Sequence, residues 1–268
     1  MKNYLPILIV ILMLTFISCQ QNQNDEINLL VPTEIIDLGV LVTEDLPYQV
    51  WGKGLMDAFG FEKANHFDVR EWAFDYEDGK LTGSNAYYTL FNHGGPHIDA
   101  PSHLDLGGGL NTYKIEQFVG PLKVFNVSDY PNGRTVPVEV FEDKVKPGDV
   151  VMIYTNYIPL ISEAIPPELT TLSFEAAEYL ANIPIGAFAT DAWSVGANGP
   201  VPSDAENVTQ REGPIHYAFL SRSIPIYEAL TNVDRLLTKE NMLFVGPPLN
   251  IEDGDGMNVR PVVLVYGK

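Results

Sequence analysis

Asn92-His93-Gly94-Gly95-Pro96-His97-Ile98-Asp99-Ala100-Pro101-Ser102-His103 is the stretch around which this chain is organised. Three of its only five histidines fall between positions 93 and 103, with an aspartate among them. Neutral imidazole and carboxylate are the side chains that suit zinc, manganese or iron(II), and core packing does not call for such a density of them. His93 and His97 stand four apart, as ligands on a helix would, but Gly94, Gly95, Pro96 and Pro101 all oppose helix. The pattern therefore predicts a tight turn running into an extended segment. On an extended chain His97, Asp99 and His103 point to one side, and the glycine turn folds His93 back towards them. The plainer alternative is a polar loop whose histidines only cap turns.

The flanking sequence predicts a sheet. Asn85 to Phe91 alternates enough to be the strand that delivers the histidine loop. Glu34–Leu38, with Val40–Val42, reads as an opening strand. Further strands are predicted at Lys123–Val127, Val150–Tyr154, Ile185–Thr190, Leu243–Val245 and Val262–Tyr266. Ser173 is a good N-cap for a helix over Ser173–Ala181, where Ala176, Ala177 and Leu180 share a face, and Val233–Leu237 reads as short and helical. Strands dominate and helices interleave with them, which gives an α/β single domain with a mixed sheet or barrel-like core. Residues 51–76 carry Trp51, Phe59, Phe61, Phe67, Trp72, Phe74 and Tyr76 without a helix or strand period. They are either core or a wall over the site against which an apolar substrate could lie. His66, alone among them, makes no claim as a ligand.

A metal site draws on several elements. His216 follows Gly213-Pro214-Ile215, read as a sharp turn that can aim it inwards. Glu228 is a lone acid in an otherwise apolar strand from Ile224 to Leu230, so it must be exposed, ion-paired or metal-bound. Leu106-Gly107-Gly108-Gly109 lacks dinucleotide spacing and reads as a turn. Asp253-Gly254-Asp255-Gly256 fails the calcium-loop spacing and reads as a hairpin turn. Neither GxSxG, HExxH nor a P-loop occurs.

The histidine stretch resembles the signature of the cyclase family of metal-dependent hydrolases, His-x-Gly-Thr-His-x-Asp-x-Pro-x-His, a family that includes bacterial kynurenine formamidases and isatin hydrolases. Every signature position matches except the Thr, which is Pro96. That change removes a hydroxyl and a backbone donor beside His97 but deletes no ligand. A late Pro-x-His and an Ile-x-x-Glu-x-Leu of the family match His216 and Glu228. Val119-Gly120-Pro121, Pro147–Val151, Asp191 with Ser194, and Gly254-Asp255-Gly256 with Arg260 follow in the family's order. The resemblance spans about residues 34–266.

What the resemblance implies is a swivelling β/β/α fold, a homodimer or higher homo-oligomer, and one or two divalent ions, zinc or else manganese. It makes His93, His97, Asp99, His216 and Glu228 ligands, and His103 either a sixth ligand or the general acid and base. The implied activity is hydrolysis of the amide C–N bond of a small aromatic substrate, arylformamidase-like, with isatin-like cyclic amide hydrolysis as the alternative. Retention of Glu228 favours the two-ion arrangement. A metal-stabilised solute-binding lipoprotein without turnover is the rival from another class.

Composition adds bounds. With 268 residues, 46% of them hydrophobic, the chain can bury a full core. Its formal charge of −19 repels nucleic acid and anionic lipid. Met1 to Ser18 reads as a secretory signal whose apolar run, Tyr4 to Ile17, is too short to span a bilayer. Cys19, the only cysteine, sits at its end like the lipidated residue of a lipobox, and a polar tether over residues 19–33 follows. The expectation is an exported, membrane-anchored bacterial lipoprotein with its domain over 34–268, touching the membrane only through the N-terminal lipid. With no second thiol, the chain has neither intramolecular disulfides nor thiolate metal sites.

Overall fold

A computed structural model describes residues 31–44, 65–130, 135–157, 170–196 and 213–267. The signal, Cys19, the tether up to residue 30, and Trp51, Phe59 and Phe61 lie outside the described residues. No described helix is long and apolar enough to cross a membrane.

The described strands are β1 (Glu34–Asp37), β2 (His66–Tyr76), β3 (Gly79–Thr89), β4 (His97–Asp99), β5 (Val119–Asn126), β6 (Thr135–Val136), β7 (Val150–Tyr154), β8 (Thr171–Leu172), β9 (Ala187–Thr190), β10 (Ile226–Glu228), β11 (Met242–Val245), β12 (Gly256–Asn258) and β13 (Val262–Val265). Among the described residues two α-helices join them, α1 (Phe174–Asn182) and α2 (Pro214–Leu220). Nine strands form one mixed sheet in the order β1-β13-β11-β5-β7-β9-β10-β4-β12. Its centre, β5-β7-β9-β10, is parallel, and both flanks are antiparallel.

Alternation along the central strands feeds two cores. Val151 and Ile153 of β7, Phe188 of β9 and Ile226 of β10 face α1 and α2, where Phe188 stacks on Phe219 at 4.8 Å between centroids. Val150, Met152, Ala187, Ala189 and Tyr227 face the other way and meet Ile36, Ile98, Phe244 and Val263. A flat sheet would keep β1 and β4 far apart, but Ile36 and Ile98 share this second core, so the sheet curls into a half-barrel. Each fully buried aliphatic or aromatic side chain here contributes roughly 1.5–3 kcal/mol. On β10 the period of two puts Glu228 on the same face as Ile226, towards α2. On β4 it leaves His97 and Asp99 on the face opposite Ile98. The ligand-type residues therefore sit between the sheet and α2.

The α/β single domain with a mixed, curled sheet is as the sequence predicts, and so are β1, β7, β9, β11, β13 and α1. Ser173 caps α1, accepting from the Ala176 amide at 3.1 Å. Several local expectations need correction. Val40–Val42 forms no strand. Residues 66–76 are one strand of a long ribbon with β3. Phe74, Tyr76, Tyr87 and Tyr88 on it are exposed, so these aromatics are not core, and with no buried face they leave no alternation to read. Gly213-Pro214-Ile215 is no sharp turn but the start of α2, with Pro214 in the first turn where its missing N–H costs nothing. Asp253–Gly256 closes no hairpin, because β12 pairs with β4. After Pro101 the chain leaves the extended form for a 3-10 turn, Pro101–Leu104, that carries His103.

Candidate metal centre

Positive φ at Gly95 (77°) makes the turn between His93 and His97, a conformation glycine adopts without strain. Asn258 ties that turn down, its Nδ2 donating to the carbonyls of Gly94 at 2.6 Å and Phe91 at 3.2 Å. Pro96 offers no amide there, but its carbonyl accepts from the Val259 amide at 2.9 Å. β4 is clamped between β10 and β12, with His97 opposite both Glu228 and Asn258, and Asp99 opposite both Ile226 and Gly256.

All six residues singled out from the sequence converge. His93 Nδ1 lies 2.9 Å from Asp99 Oδ1, and His97 Nε2 lies 3.4 Å from the same oxygen and 3.3 Å from Glu228 Oε2. From α2, His216 Nε2 reaches Glu228 Oε1 at 3.4 Å and Asp99 Oδ2 at 3.7 Å. His103 joins through its ring, whose centroid is 4.3 Å from that of His93 and 5.7 Å from that of His216. It is the most open of the four imidazoles, with 29% of its side chain exposed. His66 is not part of the cluster; it lies 3.6 Å from Glu44.

Asp255 is the member that sequence reading missed. Its Oδ2 is 3.0 Å from His93 Nε2 and 3.9 Å from His103 Nδ1, and its Oδ1 accepts from Asn92 Nδ2 at 2.8 Å. The acid stood in the sequence as one of several in a glycine-rich turn. Only the pairing of β12 with β4 distinguishes it.

The cluster has the donor chemistry of a cation site. Asp99 is fully buried, and among the described residues its two oxygens face imidazole nitrogens, those of His93, His97 and His216. A buried carboxylate in that state costs several kcal/mol unless a cation meets it. His97 Nδ1 lies 2.7 Å from the Gly95 carbonyl, which can only accept, so Nδ1 carries the proton and Nε2 turns a lone pair towards Asp99 and Glu228. Acceptors facing one another at such distances need a positive charge between them. In the metal-free protein, protons take that place. Burial disfavours a charged His93, but Asp255 and Asp99 outweigh it and hold the imidazole up to about 10. Burial likewise opposes His216, which the Glu228 carboxylate raises above its ordinary value. Asp99 and Glu228 stay below the usual carboxylate range: burial works against both, and neighbouring histidines prevail, His97 foremost for Asp99 and His216 for Glu228. Three overlapping trios could hold an ion: His93, His97 and Asp99; Asp99, His103 and His216; and His93, His103 and Asp255.

Glu228 is set from behind. Its Oε1 accepts from the Val195 amide at 2.5 Å, and the residue after it, Ala229, has φ +58° and donates its amide to Ala192. Nearby, Asp191 closes the 155–157 segment by accepting from Thr155 N, Thr155 Oγ1 and Tyr157 N, and burial pushes its carboxyl up to about 6.

Comparison with known proteins bears on fold and family. Residues 36–197 match the Cyclase family, described as "Putative cyclase". The isatin hydrolase A of Labrenzia aggregata, solved with benzyl benzoate, is 22% identical, with 87% of this chain and 94% of that one covered at a TM-score of 0.63. The isatin hydrolase A of Ralstonia solanacearum is 18% identical, with 99% and 98% covered at 0.66. A predicted metal-dependent hydrolase of Bacillus stearothermophilus is 21% identical, with 86% and 97% covered at 0.56. No curated protein sequence matches the chain. The swivelling α/β fold is thus shared with these structures.

Proposed function

The chain belongs to the cyclase family, and on that premise we propose that it is a metal-dependent hydrolase of the C–N bond in a small aromatic amide, either a formamide or a ring-closed amide of the isatin kind. The observation that carries this reading is Asp99, a fully buried carboxylate ringed by the imidazoles of His93, His97 and His216. His93, His97, Asp99, His216 and Glu228 would hold one or two divalent ions, zinc or manganese. A bound ion of that kind supplies Lewis acidity and brings the pKa of water to near 7.

The chain's own residues do the rest. Asp99 and Glu228 each approach both His97 and His216, so either carboxylate would help these imidazoles to hold an ion. The Gly95 carbonyl fixes the tautomer of His97, and the Val195 amide fixes one oxygen of Glu228. His103, half-open at the edge of the cluster, is placed to take a proton from water and return it to the departing nitrogen. Support for the ring-closed substrate comes from the two isatin hydrolases that share the fold, and for the formamide from retention of Glu228. We further propose that the protein works as a homo-oligomer and is anchored by lipid on Cys19.

The test is to measure bound zinc and manganese and to assay N-formylkynurenine and isatin with the wild type and His97→Ala. Metal-dependent cleavage of either compound, lost on substitution, is the expected result. A wild type that binds no metal, or a His97→Ala protein that cleaves as well as the wild type, overturns the proposal. Palmitate labelling that disappears in Cys19→Ser tests the anchor, and light scattering of the purified protein tests the oligomer.

A further inference from the structure

Asp255 lies outside the set of six, and its contacts are unusual for an acid on a turn. Both of the imidazoles it approaches meet one oxygen, Oδ2, with His93 Nε2 at 3.0 Å and His103 Nδ1 at 3.9 Å. Its other oxygen is held by Asn92 Nδ2 at 2.8 Å, and its carbonyl accepts from the Ala100 amide at 2.8 Å, so carboxylate and backbone are both anchored. The His93 ring cannot easily turn away. A Cβ on Gly256 would lie 2.6 Å from His93 Cε1 and 2.9 Å from Nε2, so the ring fills the space that the missing side chain leaves.

We propose that Asp255 is a positioning residue that sets the tautomers of His93 and His103 together. A carboxylate only accepts, so Nε2 of His93 carries the proton hydrogen-bonded to Oδ2, while at 3.9 Å, beyond hydrogen-bond reach, the same negative oxygen favours the proton of His103 on Nδ1. The lone pairs are then Nδ1 of His93, which faces Asp99 at 2.9 Å, and Nε2 of His103. His103, Asp99 and His216 can all offer atoms within 4.8 Å of one another, so His103 is presented to the cluster ready to accept a proton or hold an ion. One carboxylate thereby orders one imidazole inside the centre and another at its mouth. This inference rests on the metal-centre reading above. Its competitor is that Asp255 itself ligates an ion with His93 and His103.

With five histidines, nitrogen-15 spectra of labelled side chains can assign each tautomer. The full-length protein is stripped, titrated with zinc against a chromophoric chelator, and examined alongside Asp255→Ala. The zinc-loaded wild type is expected to show His93 protonated at Nε2 alone and His103 at Nδ1. Asp255→Ala is expected to bind the same number of ions about 10–100-fold more weakly and to lose the fixed tautomer of His103. Unchanged affinity and tautomers overturn the proposal, as does loss of one ion per chain, which makes Asp255 a ligand. If Asp255→Ala does not fold, Asn92→Ala decides: it keeps the charge but frees Oδ1, and a smaller loss of affinity with mixed tautomers is expected. No change in Asn92→Ala overturns the idea. A wild type that takes up no zinc removes the metal reading itself, whereas zinc uptake indifferent to Asp255 removes only this role.

Discussion

His97 and Glu228 stand directly opposite each other on antiparallel neighbours, and their side chains meet with Nε2 3.3 Å from Oε2. Strand register therefore sets this contact. A slip of one residue in the pairing of β4 with β10 would put the two groups on opposite faces of the sheet. The same register lets the small strand β4 offer His97 and Asp99 together while Ile98 anchors it in the core behind.

Glu228→Gln keeps the shape and removes the charge. Because one oxygen accepts from Val195 and the other faces His97, the substitution leaves packing intact while weakening the hold on a cation. We expect kcat/KM on the amide that the wild type cleaves to fall by at least about 100-fold, near 2.7 kcal/mol, with fewer ions bound. Elemental analysis beside kinetics checks this, and wild-type metal content with wild-type rates would remove Glu228 from the centre.

Chelation should destabilise the fold. An ion held at 100 times its dissociation constant stabilises by about 2.7 kcal/mol. For a domain of this size that corresponds to a Tm drop of roughly 5–10 °C on stripping. Scanning calorimetry with and without chelator measures it, and equal melting temperatures would speak against a resident ion.

The gap between loaded and stripped protein should widen with pH. Burial alone would push His93 down, but Asp255 and Asp99 raise it from 6.5 to about 10. A raised histidine stabilises the metal-free fold fully below its unfolded value, and that contribution is lost as pH climbs from 6.5 towards 10. A bound ion takes the place of the proton, so the loaded protein does not share this loss. Paired melts across that window should diverge, and a constant gap would detach His93 from the centre.

Gly256→Ala places a methyl group against His93 and 2.8 Å from the Ile98 carbonyl. Overpacking of this kind costs about 1–3 kcal/mol, and here it also pushes the imidazole off its alignment with Asp99. A lower Tm together with weaker zinc binding is expected. A fall in Tm with unchanged affinity would show that the methyl is absorbed elsewhere.

Much of the site was legible because its ligands lie close together in the chain. His93, His97, Asp99 and His103 announce themselves by density alone, and Glu228 by being an acid in an apolar strand. β7 was legible as an unbroken apolar run, and α1 through the Ser173 cap and its buried face. Of the β2–β3 ribbon only the end of β3, within Asn85 to Phe91, was legible; the rest was not, because both faces are wet and Phe74, Tyr76, Tyr87 and Tyr88 follow no buried period. The helix that carries His216 is only seven residues long and begins with Gly-Pro, the same letters that open a turn. Asp255 stood in a run that follows the family's order, Gly254-Asp255-Gly256, but only the pairing of β12 with β4 gives it a place in the site.

β12, the strand that closes the cluster, lies far along the chain from the histidine loop, and the contact between His93 and Asp255 joins residues 162 positions apart. Closing so long a loop is slow compared with forming α1 or a hairpin. A growing polypeptide that has emerged as far as residue 250 displays every histidine yet lacks the segment that seats His93 and braces β4. Such a chain can snare an ion only loosely, and the finished pocket waits for the segment after residue 250. Ending the chain at residue 250 should thus leave a protein with every histidine of its signature and no settled place for a metal.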